Sequence, residues 1–318
     1  MQTINFKCHS MKRKFKLAGL LFVGLILFIT CKKETPLPTA LFTYTVTGNT
    51  VTFYAQVTND SKYEWDFGDG SYINTLHSPV HSYSSYGVDF NVTLTILGPG
   101  GSTSVTNKVT IPPKTKMQLL TGGVAGSSSS KKWRLSSSAP SFIIAAATSN
   151  FQPVVKDYPG SILGAVGLGM VYTDEFVFKG DGSLTINPKG GGIFAGYVYC
   201  LASSIPIVAN KDAAGAGLAY AKPFVTPPGA TFAINEGKTL TLTTTLDGKT
   251  PLTTSYPGVT TISFTKGGFL GILDFKSECI IQQLSDTKMT AVLFVSTVYP
   301  GLIGTPNMAL IVTFEVAP

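Results

Sequence analysis

The sequence predicts an all-β protein built as two antiparallel β-sandwich domains in series behind an export segment. Three observations predict it. Apolar and polar residues alternate with a period of two in many short runs, the pattern of strands with one buried face. Gly, Asn, Asp and Pro turns separate these runs. Charged residues make up only 13% of the 318 residues, too few for many surface helices, which are rich in Glu, Lys and Ala. The length allows two domains of about 100–200 residues each.

The first element is the export segment. Lys12-Arg13-Lys14-Phe15-Lys16 precedes an apolar run from Leu17 to Thr30 that ends at Cys31. A membrane-spanning helix needs about 20 apolar residues, and this run is shorter. A basic region before a short apolar one is the secretory pattern. Residues 1–30 hold five of the 24 basic residues and no acid, so 19 basic and 17 acidic residues remain, a net of +2. The formal charge of +7 is therefore no basic field, and nucleic-acid binding is not expected.

Phe28-Ile29-Thr30-Cys31 resembles a bacterial lipobox, with Thr30 in place of the usual small residue. That resemblance implies lipidation at Cys31, residues 32–39 as a tether, and an outer-membrane location facing the cell surface. The alternative is an ordinary signal peptide that ends near a cysteine. With Cys8 and Cys31 in the leader, Cys200 and Cys279 remain. They are either a disulfide, which export permits, or two buried thiols.

The first domain covers residues 40–112. Phe42–Val46 and Val51–Ala55 flank Gly48-Asn49, a hairpin pattern. Phe90–Ile96 and Ser102–Ile111 flank a Gly-rich loop. Between the two pairs lies Tyr63-Glu64-Trp65-Asp66-Phe67-Gly68-Asp69-Gly70, then Ser78-Pro79-Val80-His81-Ser82-Tyr83 and Gly87. These segments resemble the PKD domain, an immunoglobulin-like β-sandwich, in order and spacing. The resemblance implies that Trp65 and Phe67 pack the core, Asp66 bonds backbone amides, and Asp69-Gly70 make a tight turn. Asp66, Asp69 and His81 could be read as a metal cluster, but the motif serves the needs of the fold. PKD domains act as spacers or adhesion modules.

Residues 113–130 are rich in Pro, Gly and Ser and read as a linker, with Leu119-Leu120 as a single helical turn. Residues 131–318 form the second domain. Met170–Phe178 and Ser183–Ile186 make a hairpin about Asp181-Gly182. Further strands are expected at Tyr197–Leu201, Thr231–Ile234, Thr239–Thr244, Thr260–Phe264, Cys279–Leu284, Met289–Val295 and Leu310–Val316. A β-sandwich or jelly roll is the first architecture and a lipocalin-like barrel the second. Segments 145–170 and 202–229 read as long loops.

Leu120–Gly123, Lys131–Trp133 and Asp174–Gly182 resemble modules that follow PKD domains in surface lipoproteins of Bacteroidetes. Those modules are β-sandwiches suspected of binding glycans. Usual versions carry Trp near Tyr158, and this chain does not.

The second domain has no histidine, which excludes a Ser-His-Asp triad or Cys-His pair within it. Two cysteines do not make a zinc site. Paired acids remain for glycoside hydrolysis, with Asp174, Glu175, Asp274 and Glu278 as candidates. Asp174 and Glu175 point to opposite faces of a strand, so neither can pair with the other. Asp174 on an apolar face must be satisfied by backbone amides or by a cation, and calcium is the ion that oxygen ligands would take. A sugar site needs an aromatic face and nearby polar groups. Trp133, Tyr158 and Tyr220 are its candidates, with Trp133 alternatively closing the core.

These features lead to a first expectation of a non-catalytic surface lipoprotein. It binds polysaccharide or oligosaccharide through its second domain, uses the PKD domain as a spacer, and has outer-membrane transporter proteins as neighbours. A structural or adhesion protein that contacts other proteins is the alternative, and a cryptic glycoside hydrolase the third choice.

Overall fold

A computed structural model describes residues 34–60, 62–138, 142–151, 153–155, 161–209, 217–298 and 302–318. The export segment, Cys31 and Tyr158 lie outside them.

Two three-stranded antiparallel sheets make the first domain. One contains β1 (Thr39–Thr47), β2 (Thr50–Thr58) and β4 (Val80–Ser82), and the other β3 (Lys62–Asp66), β5 (Val88–Gly98) and β6 (Gly101–Ile111). Alternation sends Phe42, Phe53, Val92, Leu94 and Ile96 inward, all nearly or wholly buried. Trp65 and Phe67 fill the space between the sheets. The Trp65 ring sits 5.1 Å from Phe42 and 5.2 Å from Phe53, and its Nε1–H donates to the Leu76 carbonyl at 2.9 Å.

The polar half of the motif also serves the fold. Gly68 N–H donates to Asp66 Oδ1 at 2.9 Å, and Ser71 N–H to Asp69 Oδ1 at 3.1 Å. Gly68 and Gly70 take φ of 74° and 79°, a region that favours glycine. His81 Nε2 meets Asp69 Oδ2 at 2.7 Å while its ring stacks on Phe67 at 4.0 Å. Tyr83 Oη–H donates to the Phe67 carbonyl. Asp66, Asp69 and His81 thus hold the turn between the two sheets.

The expected linker contains a short helix, α1 (Lys116–Thr121). Thr115 and Gln118 make a reciprocal capping box, and Gly122 ends the helix at φ 82°. Leu120 is fully buried in the core of the second domain.

The second domain is β-sandwich-like, and among the described residues one ten-stranded antiparallel sheet supplies both layers. Its main path runs through β11 (Leu184–Asn187), β10 (Glu175–Lys179), β7 (Ser130–Leu135), β19 (Met308–Val316), β18 (Lys288–Val295), β17 (Glu278–Leu284), β16 (Leu252–Thr265) and β15 (Thr231–Thr244). β8 (Phe142–Ala146) also pairs with β19, and β9 (Pro153–Val155) with β8. The two end strands meet. Leu184 N–H donates to Ala230 O and Phe232 N–H to Gly182 O, both at 2.9 Å, and Ser183 bridges Thr231. The sheet therefore curls onto itself, which gives the sandwich the wrap of a barrel.

Inward residues of all eight strands on the path form one core, from Trp133 on β7 to Phe314 on β19. A smaller core on the opposite face joins Ile280, Val292, Phe294 and Ala309 to Tyr256. Buried on both faces, β18 reads as an almost continuous apolar run.

Several expectations fail here. Tyr197–Leu201 is not a strand: α3 spans Tyr197–Ala202, with Val198 and Cys200 buried. Gly169–Thr173 is a 3-10 helix, so the strand ahead of the Asp181 turn starts at Glu175 rather than Met170. The segments read as loops carry structure as well. α2 (Ile162–Ala165) lies in the first. The second holds β13 (Ile207–Ala209) and β14 (Leu218–Ala221); β14 pairs with β13 on one side and with β12 (Ile193–Gly196) on the other in a separate small sheet. Cys200 and Cys279 are separate buried thiols.

Candidate functional site

Four neighbouring strands create a groove of about 420 Å3 on the outer face of the large sheet. Thr290 on β18 lies beside Thr313 on β19, and Ile311 on β19 beside Ile143 on β8. A bulge in β17 between Ile281 and Gln283 inserts one residue. Gln282 and Gln283 can then line the groove together. Ser136, Ser138 and Lys288 complete it.

A bonded frame sets one wall. Arg134 Nε–H and Nη2–H donate to Glu315 Oε1 at 2.9 and 2.8 Å, and Ser136 Oγ–H donates to Glu315 Oε2 at 3.0 Å. Ser136 N–H is held by the Thr313 carbonyl at 2.8 Å. The Gln282 and Gln283 amides are exposed, whereas the Thr290 and Thr313 hydroxyls are half-buried. The surface offers amide and hydroxyl donors and acceptors beside two isoleucine side chains. This chemistry suits a ligand with many hydroxyls and small C–H patches.

Of the residues expected to bind sugar, Trp133 and Tyr220 lie elsewhere, and Tyr158 is outside the described residues. Trp133 is fully buried, and its Nε1–H donates to the Leu120 carbonyl at 2.8 Å. Its indole closes the core, the alternative role that the sequence offered for it. Tyr220 sits in the middle strand of the small sheet and is 3% exposed. Its Oη accepts the Gly192 N–H at 3.1 Å, so its ring is also packing. Among the described residues, no aromatic side chain lines the groove.

The candidate acids are occupied or enclosed. Asp174 is 1% exposed. Its Oδ1 accepts the Lys189 N–H at 3.1 Å, and its Oδ2 has no hydrogen-bond partner among the described residues. Burial pushes its carboxyl up to about 7, against the pull of the Lys189 N–H. Asp274 Oδ1 accepts the Phe275 and Ser296 N–H groups at 2.7 and 3.4 Å, while its Oδ2 is unpartnered among the described residues. Burial raises it to about 7 too. Glu175 faces Lys189 at 3.2 Å and Lys132 at 3.8 Å. Glu278 takes hydrogen bonds from Lys238 and Thr261, both at 2.6 Å. None of the four lines the groove. Around Asp174, as elsewhere among the described residues, no three His, Cys, Asp or Glu side chains gather as a metal site would need.

A second cleft, of about 560 Å3, lies between the domains. Ser84, Ser85, Tyr86 and Val88 line it from the first domain, Lys114 and Leu119 from the connection, and Asp286 from the second domain. Lys114 Nζ reaches Asp286 Oδ1 at 2.6 Å and sits 5.1 Å from the Tyr86 ring centre.

Comparison with known proteins identifies the first domain. The PKD domain family model matches residues 33–112. The PKD1 domain of Vibrio anguillarum Epp is 24% identical, aligned over 26% of this chain and all of that one, with a TM-score of 0.24. The PKD1 domain of the Vibrio cholerae metalloprotease PrtV is 28% identical over 24% of this chain and 99% of that one, with a TM-score of 0.23. A solved structure concerning carbohydrate-binding modules of the β-sandwich superfamily aligns over 89% of this chain and 93% of its own. Its identity is 15% and its TM-score 0.24, values that transfer neither ligand nor site. No curated protein matches the chain. The matched segment coincides with the six strands and the Trp65–Gly70 turn, so the N-terminal part of this chain is a PKD domain, followed by a larger β-sandwich-like domain.

Proposed function

We propose that this chain binds polysaccharide without cleaving it, through the outer-sheet groove of its larger domain. The observation that carries the reading is the groove itself. Gln282, Gln283, Thr290, Thr313, Ser136 and Ser138 concentrate amides and hydroxyls around Ile143 and Ile311 in about 420 Å3, within the range of ligand sites. The Lys12–Cys31 segment supports export and a lipid anchor at Cys31 in the outer membrane, with the glycan presented to neighbouring transporter proteins. Catalysis is left out because the candidate acids are enclosed or lysine-paired.

A carbohydrate microarray probed with the full chain and with a Gln282→Ala/Gln283→Ala variant tests this. Both glutamines are exposed, so the variant is expected to fold and to lose its signal. An array on which the variant equals the parent, or the parent binds nothing, refutes the reading.

Adhesion to another protein is the second reading. Tyr72 is 98% exposed, and Ile73, Leu76 and Val80 about 60% each, exposed apolar side chains on the β3–β4 connection and the first residue of β4, of the kind that marks contact surfaces.

A further inference from the structure

The groove and the interdomain cleft are adjacent. β17 and β18 are joined by a tight turn in which Ser285 N–H donates to the Lys288 carbonyl at 2.9 Å and Lys288 N–H to Ser285 Oγ at 3.0 Å. Lys288 lines the groove and Asp286, two residues earlier, lines the cleft. Two residues span at most about 7 Å of chain, so the two sites share a rim.

The cleft holds a group that the described lining of the groove does not. Tyr86 supplies an aromatic ring, Ser84 and Ser85 supply exposed hydroxyls, and exposed Asp286 supplies a carboxylate whose Oδ1 is already paired with Lys114. This combination suits a sugar, with C–H groups for the ring and hydroxyls for the polar atoms.

The cleft is also held in shape. Lys114 joins Asp286 to Tyr86. Lys131 Nζ–H donates to the Leu119 carbonyl at 2.7 Å and to the Asp286 carbonyl at 3.1 Å. The helix between the domains is capped at both ends, and Leu120 anchors it in the second core.

Building on the polysaccharide reading, we propose that the ligand is an extended saccharide chain. It runs from the groove across the Ser285–Lys288 turn into the interdomain cleft, where Tyr86 and Asp286 form a second subsite. The PKD domain is then part of the binding surface as well as a spacer.

The test is calorimetric titration of the full chain with xylan, mixed-linkage β-glucan and galactomannan, and with their oligosaccharides of two to eight units. Affinity should keep rising with chain length, and two subsites in series predict a gain of about tenfold or more between short and long chains. Tyr86→Ala should remove that gain and leave the shortest bound oligosaccharides unaffected. Ser84→Arg, at an exposed position, should block the cleft and do the same without touching the core. Gln283→Ala should weaken binding at every length. If Ser84→Arg and Tyr86→Ala leave long-chain affinity unchanged while Gln283→Ala weakens it, the second subsite is wrong and the groove stands. If none of the three polysaccharides binds, both are overturned.

Discussion

Raising the pH from 4 to 8 should destabilise the larger domain, and two buried carboxyls set the size of the effect. Asp174 and Asp274 both rise from 3.8 to about 7 in the folded chain. Each folded carboxyl therefore holds its proton more tightly than the unfolded one. Stability is greatest below the unfolded value, falls as pH climbs from about 4 to about 7, and is flat above. A rise from 3.8 to about 7 corresponds to about 4 kcal/mol for each group.

The residues around Asp274 explain why this matters locally. Its Oδ1 joins Phe275 to Ser296. The neighbouring Leu273 pairs with Phe194 and Gly196 at the end of the small sheet. Ionisation places an unpaired charge at Oδ2, beside Gly196, where even a Cβ would collide. Residues 131–318 contain no histidine, so no imidazole contributes in this window. Urea unfolding followed by Trp133 fluorescence, in a Trp65→Phe background that removes the other tryptophan, reads this domain alone. Asp274→Asn should flatten part of the slope and be the more stable protein at pH 8. A parent whose midpoint is constant from pH 4 to 8, or an Asp274→Asn variant weaker than its parent at pH 8, would refute the reasoning.

Two further predictions concern packing. Trp133→Ala should cost about 3–5 kcal/mol in urea unfolding, whereas Trp133→Phe should retain glycan binding in the titration. A selective loss of binding by a stably folded Trp133→Phe would put the indole in the site after all. Burial pushes the Cys200 thiol up to about 11 and Cys279 to about 12. Both should resist an aromatic disulfide reagent in the native chain and react once it is unfolded. Fast labelling of either in the native state would contradict the packing described.

What could be read from the sequence depended on how local the signal was. The Trp65–Gly70 turn is contiguous, and its carboxylates bond to nearby backbone amides and the returning His81, while Trp65 and Phe67 pack on apolar residues of β1 and β2 that alternate clearly. β16 to β19 carry clean alternation or apolar runs because one or both faces are buried. Tyr197–Leu201 misled because Val198 and Cys200 are spaced as in a strand, while a single helical turn also buries them. Leu218–Ala221 has all four residues buried, so no alternation marks β14, and Tyr220 falls in a segment whose sequence reads as a loop.

The groove is assembled from residues far apart in the sequence. Ser136 and Glu315, which bond across its wall, are 179 residues apart. The one local sign was Gln282-Gln283 at the end of an apolar strand, a break in period that the bulge in β17 accounts for.

Amide hydrogen exchange on the full chain, with and without the polysaccharide it binds best in titration, maps the binding surface peptide by peptide. Exchange should slow in peptides covering Gln282–Thr290 and Ile311–Thr313, extending to Ser84–Tyr86 when the ligand is long. Protection confined to Tyr72–Val80, or none in the larger domain, would contradict binding through the groove.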